Sequence, residues 1–492
     1  MKWIYTIILI VGALLVDIGA GAKTVEVTLT QAGTLNAALS DNGMQIDTLV
    51  VKGPIDSVDF HTMWYYSYHG KLEVLDLSHA SVAGGKVPDS AFYRSGTRTD
   101  DHGITLVVTY IPKFKSVKLP DDITEIGVNA FCYNNALVSI NLPKKLRKLG
   151  ISAFYSCENL NFDKLVIPEG VNEVPDFCFY YCLSLQCEVV LPSSIERIGH
   201  NAFNRASITK MNFPDGLKEI GDAAIFHTLI KEAILPDRCS VIGMGAFCDN
   251  KYITKLKLPA TLKTIPVGMA RYDEALYEVT FPTALEEIGQ GAFALCGLQS
   301  LDLPEGLRVI RTDAFLNCHN IATAIMPSSL DSLETNSCGN WTGLKVLYSK
   351  SAVPPAYTRN GEGHTPFGDD LSANGTPDLI PLYVPKGSKQ AYSASSGWKY
   401  FKNIVETDSF PSTTGVAEAV AGARPMFVAD GGSIVVTLPK GAQAGDVEVY
   451  GTDGRILRRT PLTGQRTVVD MSNVPRGIYI VRTAHAAAKV AL

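Results

Sequence analysis

Ten prolines divide the middle of the chain into segments of nearly constant length. Consecutive prolines of the series are 22 to 25 residues apart, and each closes a short apolar segment. The series consists of Pro120, Pro143, Pro168, Pro192, Pro214, Pro236, Pro259, Pro282, Pro304 and Pro327. A repeat of this length is typical of architectures in which one small unit stacks on the next. The chain is therefore predicted to contain a repeat solenoid.

Apolar side chains recur at fixed distances after each proline. The third and sixth residues are Leu, Ile or Val in nearly every segment, and the eleventh is usually a Phe that follows an Ala. The eleventh residues are Phe131, Phe154, Phe179, Phe203, Ile225, Phe247, Ala270, Phe293, Phe315 and Cys338. One segment alone would bury little, so the stability is expected to come from contacts between neighbouring segments. These positions are predicted to form one continuous core.

The consensus of the unit is L-x-x-L-x-L-P-x-x-L-x-x-I-G-x-x-A-F-x-x-C-x-x, a leucine-rich-repeat variant. The segments LPDDITEIGVNAFCYN, LPKKLRKLGISAFYSC and FPTALEEIGQGAFALC resemble the BspA-type leucine-rich repeats of bacterial surface antigens. The resemblance covers residues 72–343, about 11 turns, and implies a leucine-rich-repeat solenoid of short parallel strands joined by irregular or 3-10 turns.

The flanks of the repeats resemble parts of the same kind of protein in the Bacteroidetes. The sequence AGTLNAALSDNGMQIDTLVVKGPIDSVDF is similar to their N-terminal cap, here placed at residues 23–71. The sequence LYVPKGSKQAYSASSGWKYFKNIVE is similar to their closing segment, within a C-terminal flank at residues 344–407.

The first 22 residues have the pattern of a secretory signal peptide. Lys2 precedes an apolar run over residues 3–16, and Ala20-Gly21-Ala22 supplies the small residues of a cleavage site between Ala22 and Lys23. The apolar run is too short for a stable membrane span, and no cysteine follows Ala22 to carry a lipid anchor. We expect an exported chain whose mature form does not span a membrane.

The C-terminal residues differ in composition from the repeats. Residues 408–425 are rich in Ser, Thr, Ala, Gly and Pro and are predicted to be a linker. Six short runs of β-forming residues follow in 426–492, with a hairpin signal at Asp453-Gly454, and predict a small β-sandwich. VEVYGTDGRIL, VPRGIYIVR and KVAL resemble the sorting domain of type IX secretion cargo, which implies an extracellular or cell-surface location. An immunoglobulin-like domain without a sorting role is the alternative, and without type IX machinery the location would be periplasmic.

Four of the ten cysteines occupy one position of the repeat. Cys157, Cys182, Cys296 and Cys318 are each fourteen residues past a proline of the series. Other segments carry Asn134, Thr228, Asn250 and Asp273 there. Side chains that interchange in this way are small and polar and are predicted to face nearby backbone. Parallel Cβ directions on adjacent turns would strain a disulfide, so free thiols are predicted.

Charged residues form two columns of alternating sign on the predicted strands. Four residues before the prolines stand Lys164, Glu188, Lys210, Glu232, Lys255 and Glu278. Five residues after them stand Glu125, Lys148, Glu173, Arg197 and Glu219. Neighbouring opposite charges are expected to contribute about 0.2 to 1 kcal/mol per pair. The opposite charges nearly cancel within these columns, which disfavours a phosphate-binding groove. The net charge of the whole chain is -5 and does not indicate a basic surface for nucleic acid.

The column two residues before the prolines is the candidate binding face. Its central members are Asn141, Val166, Val190, Asn212, Ile234 and Lys257. Apolar side chains pointing outward beside paired charges resemble an interface core with a polar rim. The alternatives are that loops or the cap cover these residues, or that they are strand-forming residues on an open face.

Other constellations carry weaker signals. Catalytic and nucleotide-binding motifs are absent, so neither an enzyme nor a cofactor is expected. His61, His69 and His79 lack metal-ligand spacing and are predicted to be structural. The loop 360–378 contains Asp369, Asp370 and Asp378 and could hold calcium, but without a calcium-loop spacing it is predicted to be a plain loop. An insertion at 93–103 is predicted to be a polar loop, with binding as the alternative.

Together these patterns predict an exported, non-enzymatic binding protein of the adhesin type. The resemblance implies adhesion to host matrix proteins or to other bacteria, with a protein or glycan partner that the sequence does not identify. One alternative is a structural component of the envelope or matrix. Another is a scaffold for polysaccharide capture, which is disfavoured because the strand columns carry no row of exposed Trp or Tyr.

Overall fold

A computed structural model describes residues 14–16, 23–99, 105–358, 365–368 and 380–411, and stretches of residues 426–491 that include seven strands. The chain divides into two compact units, residues 1–406 and 407–492. In the first unit the repeats form a solenoid with three faces. Most of the predicted signal peptide, including the residue before its cleavage site, lies outside the described residues, although Leu14–Val16 forms a strand antiparallel to Thr24–Thr28.

The first face consists of parallel strands that precede the repeat prolines. Within each strand the middle residue points into the core and its neighbours point outward, because side chains alternate along a strand. Its hydrogen-bonded groups are Thr24–Thr28, Thr48–Ile55, Val74–Val82, Ser116–Lys118 and Ser139–Ile140; Lys164–Val166, Glu188–Val190 and Lys210–Met211; Glu232–Ile234, Lys255–Lys257 and Glu278–Thr280; and Ser300–Asp302, Thr323–Met326, Val346–Ser349, Pro381–Pro385 and Asn403–Thr407.

The second face consists of shorter parallel strands, which begin five residues after each proline of the series. The first residue of each is exposed or half-buried, and the second, such as Ile126 or Leu149, enters the core. The groups are Lys86–Val87, Glu125–Ile126 and Lys148–Leu149; Glu173–Val174, Arg197–Ile198, Glu219–Ile220 and Val241–Ile242; and Thr264–Ile265, Glu287–Ile288, Val309–Ile310, Ser332–Glu334 and Ala356–Thr358.

The third face is built from overlapping tight turns rather than strands. The ninth and thirteenth residues after a proline have positive φ, as in Asn129 (φ 54°) and Tyr133 (φ 59°), and Gly245, Gly268 and Gly291 occupy the ninth position of three turns. This conformation directs backbone groups along the solenoid axis. The Phe131 N–H, for example, donates to the Ala153 carbonyl of the next turn (2.8 Å). The hydrogen bonds offset the cost of left-handed conformations in ordinary residues.

The predicted core is confirmed, and phenylalanines stack along its length. Phe131, Phe154, Phe179 and Phe203 are fully buried, with successive ring centroids 5.3 to 5.4 Å apart and nearly parallel planes. Ile225 and Ala270 interrupt the stack, as the sequence predicts. Near these interruptions, the phenylalanines that directly precede two repeat prolines pack against the column. Phe213 contacts Phe247, and Phe281 contacts both Phe293 and Phe315.

The solenoid is longer than the repeat pattern indicates. Strands Thr24–Thr28 and Thr48–Ile55, from the predicted cap, pair in parallel with Val74–Val82 and so continue the first face. Strands of the C-terminal flank continue it at the other end. The solenoid therefore has about 16 turns, because the cap and the C-terminal flank add turns to the about 11 predicted for residues 72–343. The additional turns lack the repeat consensus but share its strand pairing.

The described residues contain three α-helices and two 3-10 helices, all in the cap, the first turn of the repeats or the C-terminal flank. They are Leu35–Leu39, Ser57–His69, Lys389–Ala394, Ser40–Gln45 and Ala83–Gly85. The second helix is the longest of them, and the side chains of Asp56 and Asp59 form a capping box at its start. That reciprocal bonding satisfies backbone N–H groups that a helix leaves free. The helix buries Phe60 and Met63 against the strands.

The predicted insertion at 93–103 is larger and more regular than expected. Arg94–Thr99 and Thr105–Tyr110 form an antiparallel two-stranded hairpin. The β-forming residues of TLVVTY, which follow the turn-favouring sequence DDHG, are a signal that could have identified it. Val107 on the second strand is 76% exposed.

The second unit consists of two antiparallel sheets. The first contains Met426–Asp430, Ser433–Thr437 and Arg466–Asp470, and the second contains Ile456–Pro461, Asp446–Tyr450, Ile478–Arg482 and Ala487–Ala491 in that order. Ile434, Val436, Val449 and Val481 are among the residues of one shared core. The hairpin residues Asp453-Gly454 lie outside the described residues, but the strands on either side of them pair antiparallel as predicted.

Candidate functional site

The candidate binding face lies on the first face of the solenoid. Val166 stands opposite Val190 on the adjacent strand, and Ile234 stands opposite Lys257. Val166 is 51% exposed and Ile234 is 50% exposed, whereas Val190 is half-buried. The apolar members of the column therefore lie on a solvent-facing sheet, and no loop of the described residues covers Val166 or Ile234.

The two asparagines of the column have a different role. Asn212 accepts a hydrogen bond from the Leu191 N–H (2.8 Å) and donates to the Leu191 carbonyl (2.9 Å). Asn141 makes the same pair with Leu119, at 2.7 and 3.0 Å. In both turns the strand ends one residue earlier than in its neighbours, and the side-chain amide replaces a peptide group of the sheet. These asparagines complete the sheet and interrupt the apolar column.

The predicted charge ladder beside the column is present in part. The Lys164 and Lys210 ammonium groups lie 3.1 and 3.2 Å from the two carboxylate oxygens of Glu188. Hydrogen bonds from these two lysines hold the pKa of Glu188 below its ordinary value. Lys255 forms a further ion pair with Glu278 at 2.7 Å. The charges beside Val166 and Val190 therefore have partners. Among the described residues, however, no ion pair is formed by Glu232, on the strand of Ile234, or by Lys257, opposite Ile234.

The ladder on the second face centres on Arg197. Its guanidinium lies 3.1 Å from Glu219, 3.5 Å from Glu173 and 2.5 Å from Asp176. Glu219 and Glu173 belong to the column that the sequence identifies, whereas Asp176 comes from the following turn segment. Lys148 pairs with Glu125 at 3.2 Å. The charged side chains of this ladder are therefore paired with side chains of opposite charge.

The predicted polar side chains fourteen residues past each proline do face nearby backbone. The Cys157 thiol donates to the Phe131 carbonyl (3.1 Å), and the Cys318 thiol makes the equivalent bond to Phe293 (3.1 Å). Asn250 donates to Ile225 (2.8 Å) and Trp341 to Phe315 (2.9 Å) from the same position. The ten cysteines are free thiols. Burial raises the pKa of Cys182 and of Cys318 to about 12.

A row of tyrosines on the third face was missed by the sequence analysis, which considered only the strand columns. Tyr93, Tyr133, Tyr155 and Tyr180 follow one another with ring centroids 6.0, 5.2 and 4.8 Å apart. Burial raises the pKa of Tyr155 to about 12. Each ring of the row packs against at least one neighbouring ring. The signal in the sequence is the recurrence of Tyr at the twelfth and thirteenth residues after a proline.

Among the described residues, no group of three or more His, Cys, Asp or Glu side chains is placed to hold a metal ion. His61 stacks on Trp64 and lies 3.2 Å from the Arg94 guanidinium. Burial, together with the Arg94 charge, lowers the pKa of His61. His69 packs against Tyr65 and Tyr68. The carboxylates of the possible calcium loop, Asp369, Asp370 and Asp378, lie outside the described residues.

The family model described as the BspA type leucine rich repeat region matches residues 109–227, 172–273 and 270–354, together half of the chain. The chain belongs to this family. The matched region contains all six residues of the candidate binding face. No curated protein matches the sequence. No helix among the described residues is long and apolar enough to cross a membrane.

Solved structures of related repeat proteins are also similar to the chain. A leucine-rich repeat protein from Bacteroides ovatus is 21% identical over 61% of this chain and 79% of its own, with a TM-score of 0.44. A leucine rich cell surface protein from Faecalibacterium prausnitzii is 20% identical over 56% and 83%, with a TM-score of 0.30. The pneumococcal vaccine antigen PcpA is 16% identical over 81% and 97%, with a TM-score of 0.34. The family assignment rests on the family model.

Proposed function

We propose that this protein is an exported, non-enzymatic cell-surface binding protein that contacts a protein or another macromolecule through the first face of its solenoid. The observation that carries the proposal is the exposure of Val166 and Ile234 on a parallel sheet that also carries the ion pairs of Glu188 and Lys255. Exposed apolar groups with a polar rim favour association with a partner surface. Membership of a family of bacterial surface repeats supports the same function.

Polysaccharide capture is less well supported. Glycan binding by stacking needs open aromatic faces, and the rings of the tyrosine row pack against one another. Exposed Val and Ile side chains offer no hydrogen bonds to sugar hydroxyl groups. A protein partner fits the chemistry of the first face better.

The proposal is tested with the full chain and single substitutions on two faces. Val166→Glu and Ile234→Glu place a charge in the candidate face, and Val241→Glu places the same charge on the second face, where Val241 is 53% exposed. Binding to immobilised matrix proteins, bacterial cells and polysaccharides is measured by surface plasmon resonance. We expect at least a tenfold loss of affinity for a protein ligand in the first two variants and none in the third. Equal loss in all three would contradict the first face as the binding surface.

The location of the protein is a second part of the proposal. The resemblance of residues 426–492 to type IX sorting domains supports transport across the outer membrane after removal of residues 1–22. Deletion of 426–492 is expected to leave the solenoid in the periplasm, as measured by cell fractionation and surface proteolysis. Unchanged surface exposure of the shortened chain would favour the alternative of an end domain without a sorting role.

A further inference from the structure

A buried carboxyl group occupies a hydrogen-bonding position of the core. Asp273 is fully buried at the fourteenth residue of its turn, where Cys157, Asn250 and Cys318 donate to the preceding turn. One oxygen, Oδ1, accepts the Asn250 N–H at 2.7 Å. The other, Oδ2, is buried and has no hydrogen-bond partner among the described residues.

The neighbouring turns show which atom would be the hydrogen-bond partner of Asp273 Oδ2. Elsewhere, the carbonyl eleven residues past the proline accepts two hydrogen bonds. The Phe131 carbonyl accepts the Asn134 N–H and the Cys157 thiol, both at 3.1 Å. In the turn before Asp273 the equivalent carbonyl is that of Phe247, which accepts the Asn250 side-chain amide (2.5 Å). In several other turns this carbonyl also accepts a hydrogen bond from the side chain fourteen residues past the next proline. For the Phe247 carbonyl that side chain is Asp273.

We propose that Asp273 is a protonation switch in the middle of the solenoid: as a neutral acid it donates Oδ2–H to the Phe247 carbonyl, and as a carboxylate it breaks that link between turns. A protonated carboxyl has one donor and one acceptor, which is the pair of functions that Asn provides at this position. A buried carboxylate facing a carbonyl oxygen is repelled by it and lacks solvation. The switch goes beyond the proposed binding function, and it does not require that function.

The charged and titratable groups around Asp273 favour the neutral form. Asp249, on the preceding turn, carries a like charge and is paired with His227 at 2.6 Å. The thiols of Cys248 and Cys296 lie on the turns before and after. Arg271, on the same turn, is exposed and packs over Tyr272. Burial, the largest cause, raises the pKa of Asp273 well above its ordinary value.

The direction of the pH effect follows from proton linkage. The folded chain holds the Asp273 proton more tightly than the unfolded chain does, so unfolding releases it. The stability from this proton is complete below the ordinary pKa of 3.8 and is lost as the pH rises towards the raised pKa of the folded chain. Acidification therefore tightens the middle of the solenoid, which is opposite to the usual behaviour of a salt-bridged carboxylate.

The switch is tested by urea unfolding of the full chain between pH 4 and pH 8. Asp273→Asn carries a permanent donor and acceptor, and Asp249→Asn removes the neighbouring charge as a matched control. We expect wild type and Asp273→Asn to have nearly equal midpoints at pH 4, with a difference that grows in favour of Asp273→Asn as the pH rises. Because the Asp249 charge favours the neutral form of Asp273, the difference between Asp249→Asn and Asp249→Asn/Asp273→Asn is expected to reach its full size at lower pH than the difference between wild type and Asp273→Asn. A constant difference across the range would overturn the proposal.

Hydrogen exchange provides a local measurement that does not depend on global unfolding. The protection factor of the Asn250 N–H in wild type is expected to fall with rising pH, after correction for intrinsic exchange, and to stay constant in Asp273→Asn. The Cys157 N–H in the same molecules serves as the internal reference. If Asp273→Asn fails to fold, it is replaced by Asp273→Thr, which introduces the residue type that Thr228 provides at the same repeat position. Equal pH dependence of the two amides in wild type would overturn the switch.

Discussion

Two segments of the solenoid follow one repeat pattern but fill it differently. In the segment from Pro120 to Ala206, here called the phenylalanine segment, four stacked rings fill the core and two thiols are among the side chains that bond to the preceding turn. In the segment from Pro214 to Asp273, here called the polar segment, Ile225 and Ala270 interrupt the stack. There, Thr228, Asn250 and Asp273 replace the thiols.

The two segments have the same backbone geometry although the chemistry of their side chains differs. The third-face hydrogen bonds continue through both segments, as from Phe203 to Ala224 and from Phe247 to Met269, each at 2.9 Å. The phenylalanine segment is stabilised mainly by apolar burial, which does not depend on protonation. The polar segment depends on hydrogen bonds that link Thr228 to Asn250 and Asn250 to Asp273. The carboxyl group of Asp273 is the group of the proposed switch. The proposed pH response of Asp273 belongs to the polar segment, whereas the titratable contacts of the phenylalanine segment are ion pairs such as those of Glu125 and Glu188.

The largest expected effect comes from removing a stacked ring. Phe154→Ala deletes a fully buried side chain that lies between Phe131 and Phe179. We expect the free energy of unfolding to fall by about 3 to 5 kcal/mol, as measured by urea denaturation. Ile225→Ala in the polar segment is the matched variant and should cost less, since a smaller side chain is lost. An equal or greater cost for Ile225→Ala would contradict the importance of the stack.

A smaller effect is expected in the polar segment. Asn250→Ala removes the acceptor of the Thr228 N–H and hydroxyl and the donor to two carbonyl groups. We expect the free energy of unfolding to fall by about 1 to 3 kcal/mol, the cost of one buried group left without a partner, because water can enter the space that the side chain leaves. Cys157→Ala, at the same repeat position in the phenylalanine segment, should cost less because a thiol is a weak donor. The difference in stability between Asn250→Ala and Cys157→Ala is measured by thermal unfolding. Similar melting temperatures of the two variants would contradict this prediction.

The smallest expected effect concerns the charges on the second face. Arg197→Gln removes contacts with three carboxylates, whereas Lys218→Gln in the polar segment removes one, to Glu196 (2.8 Å). Partly exposed pairs contribute about 0.2 to 1 kcal/mol each. Arg197→Gln should therefore be the more destabilising change at low salt, and the difference should shrink in about 1 M NaCl because salt screens exposed charges. A difference that is insensitive to salt would point to packing instead.

The repeat period was sufficient to predict the core, because each apolar position lies at a fixed distance from a proline. It was also sufficient to place Val166, Val190 and Ile234 on one outward column. The roles of Asn141 and Asn212 were not predictable, since they follow from strands that end one residue early. That difference depends on backbone pairing and has no counterpart in the proline register.

Contacts with other turns also explain what the sequence did not indicate at the ends. Thr48–Ile55 and Val346–Ser349 lack the consensus but pair with repeat strands. Thr365–Gly368, within the loop predicted to be plain, accepts third-face hydrogen bonds from Asn336 and Cys338 through its backbone. Any residue type can supply a backbone carbonyl, so the amino-acid sequence contains no signal for these hydrogen-bond acceptors.

The backbone hydrogen bonds that the ninth, eleventh and thirteenth residues after each proline donate on the third face all run in one direction, from each turn to the next. An internal turn both gives and receives the same set of bonds, so its duplication or loss leaves the remaining ladder complete. The final turn has no such freedom, because its N–H groups need the acceptors of Thr365–Gly368. In evolution the solenoid can therefore change its length by gaining or losing whole repeats in the interior, while both ends are retained.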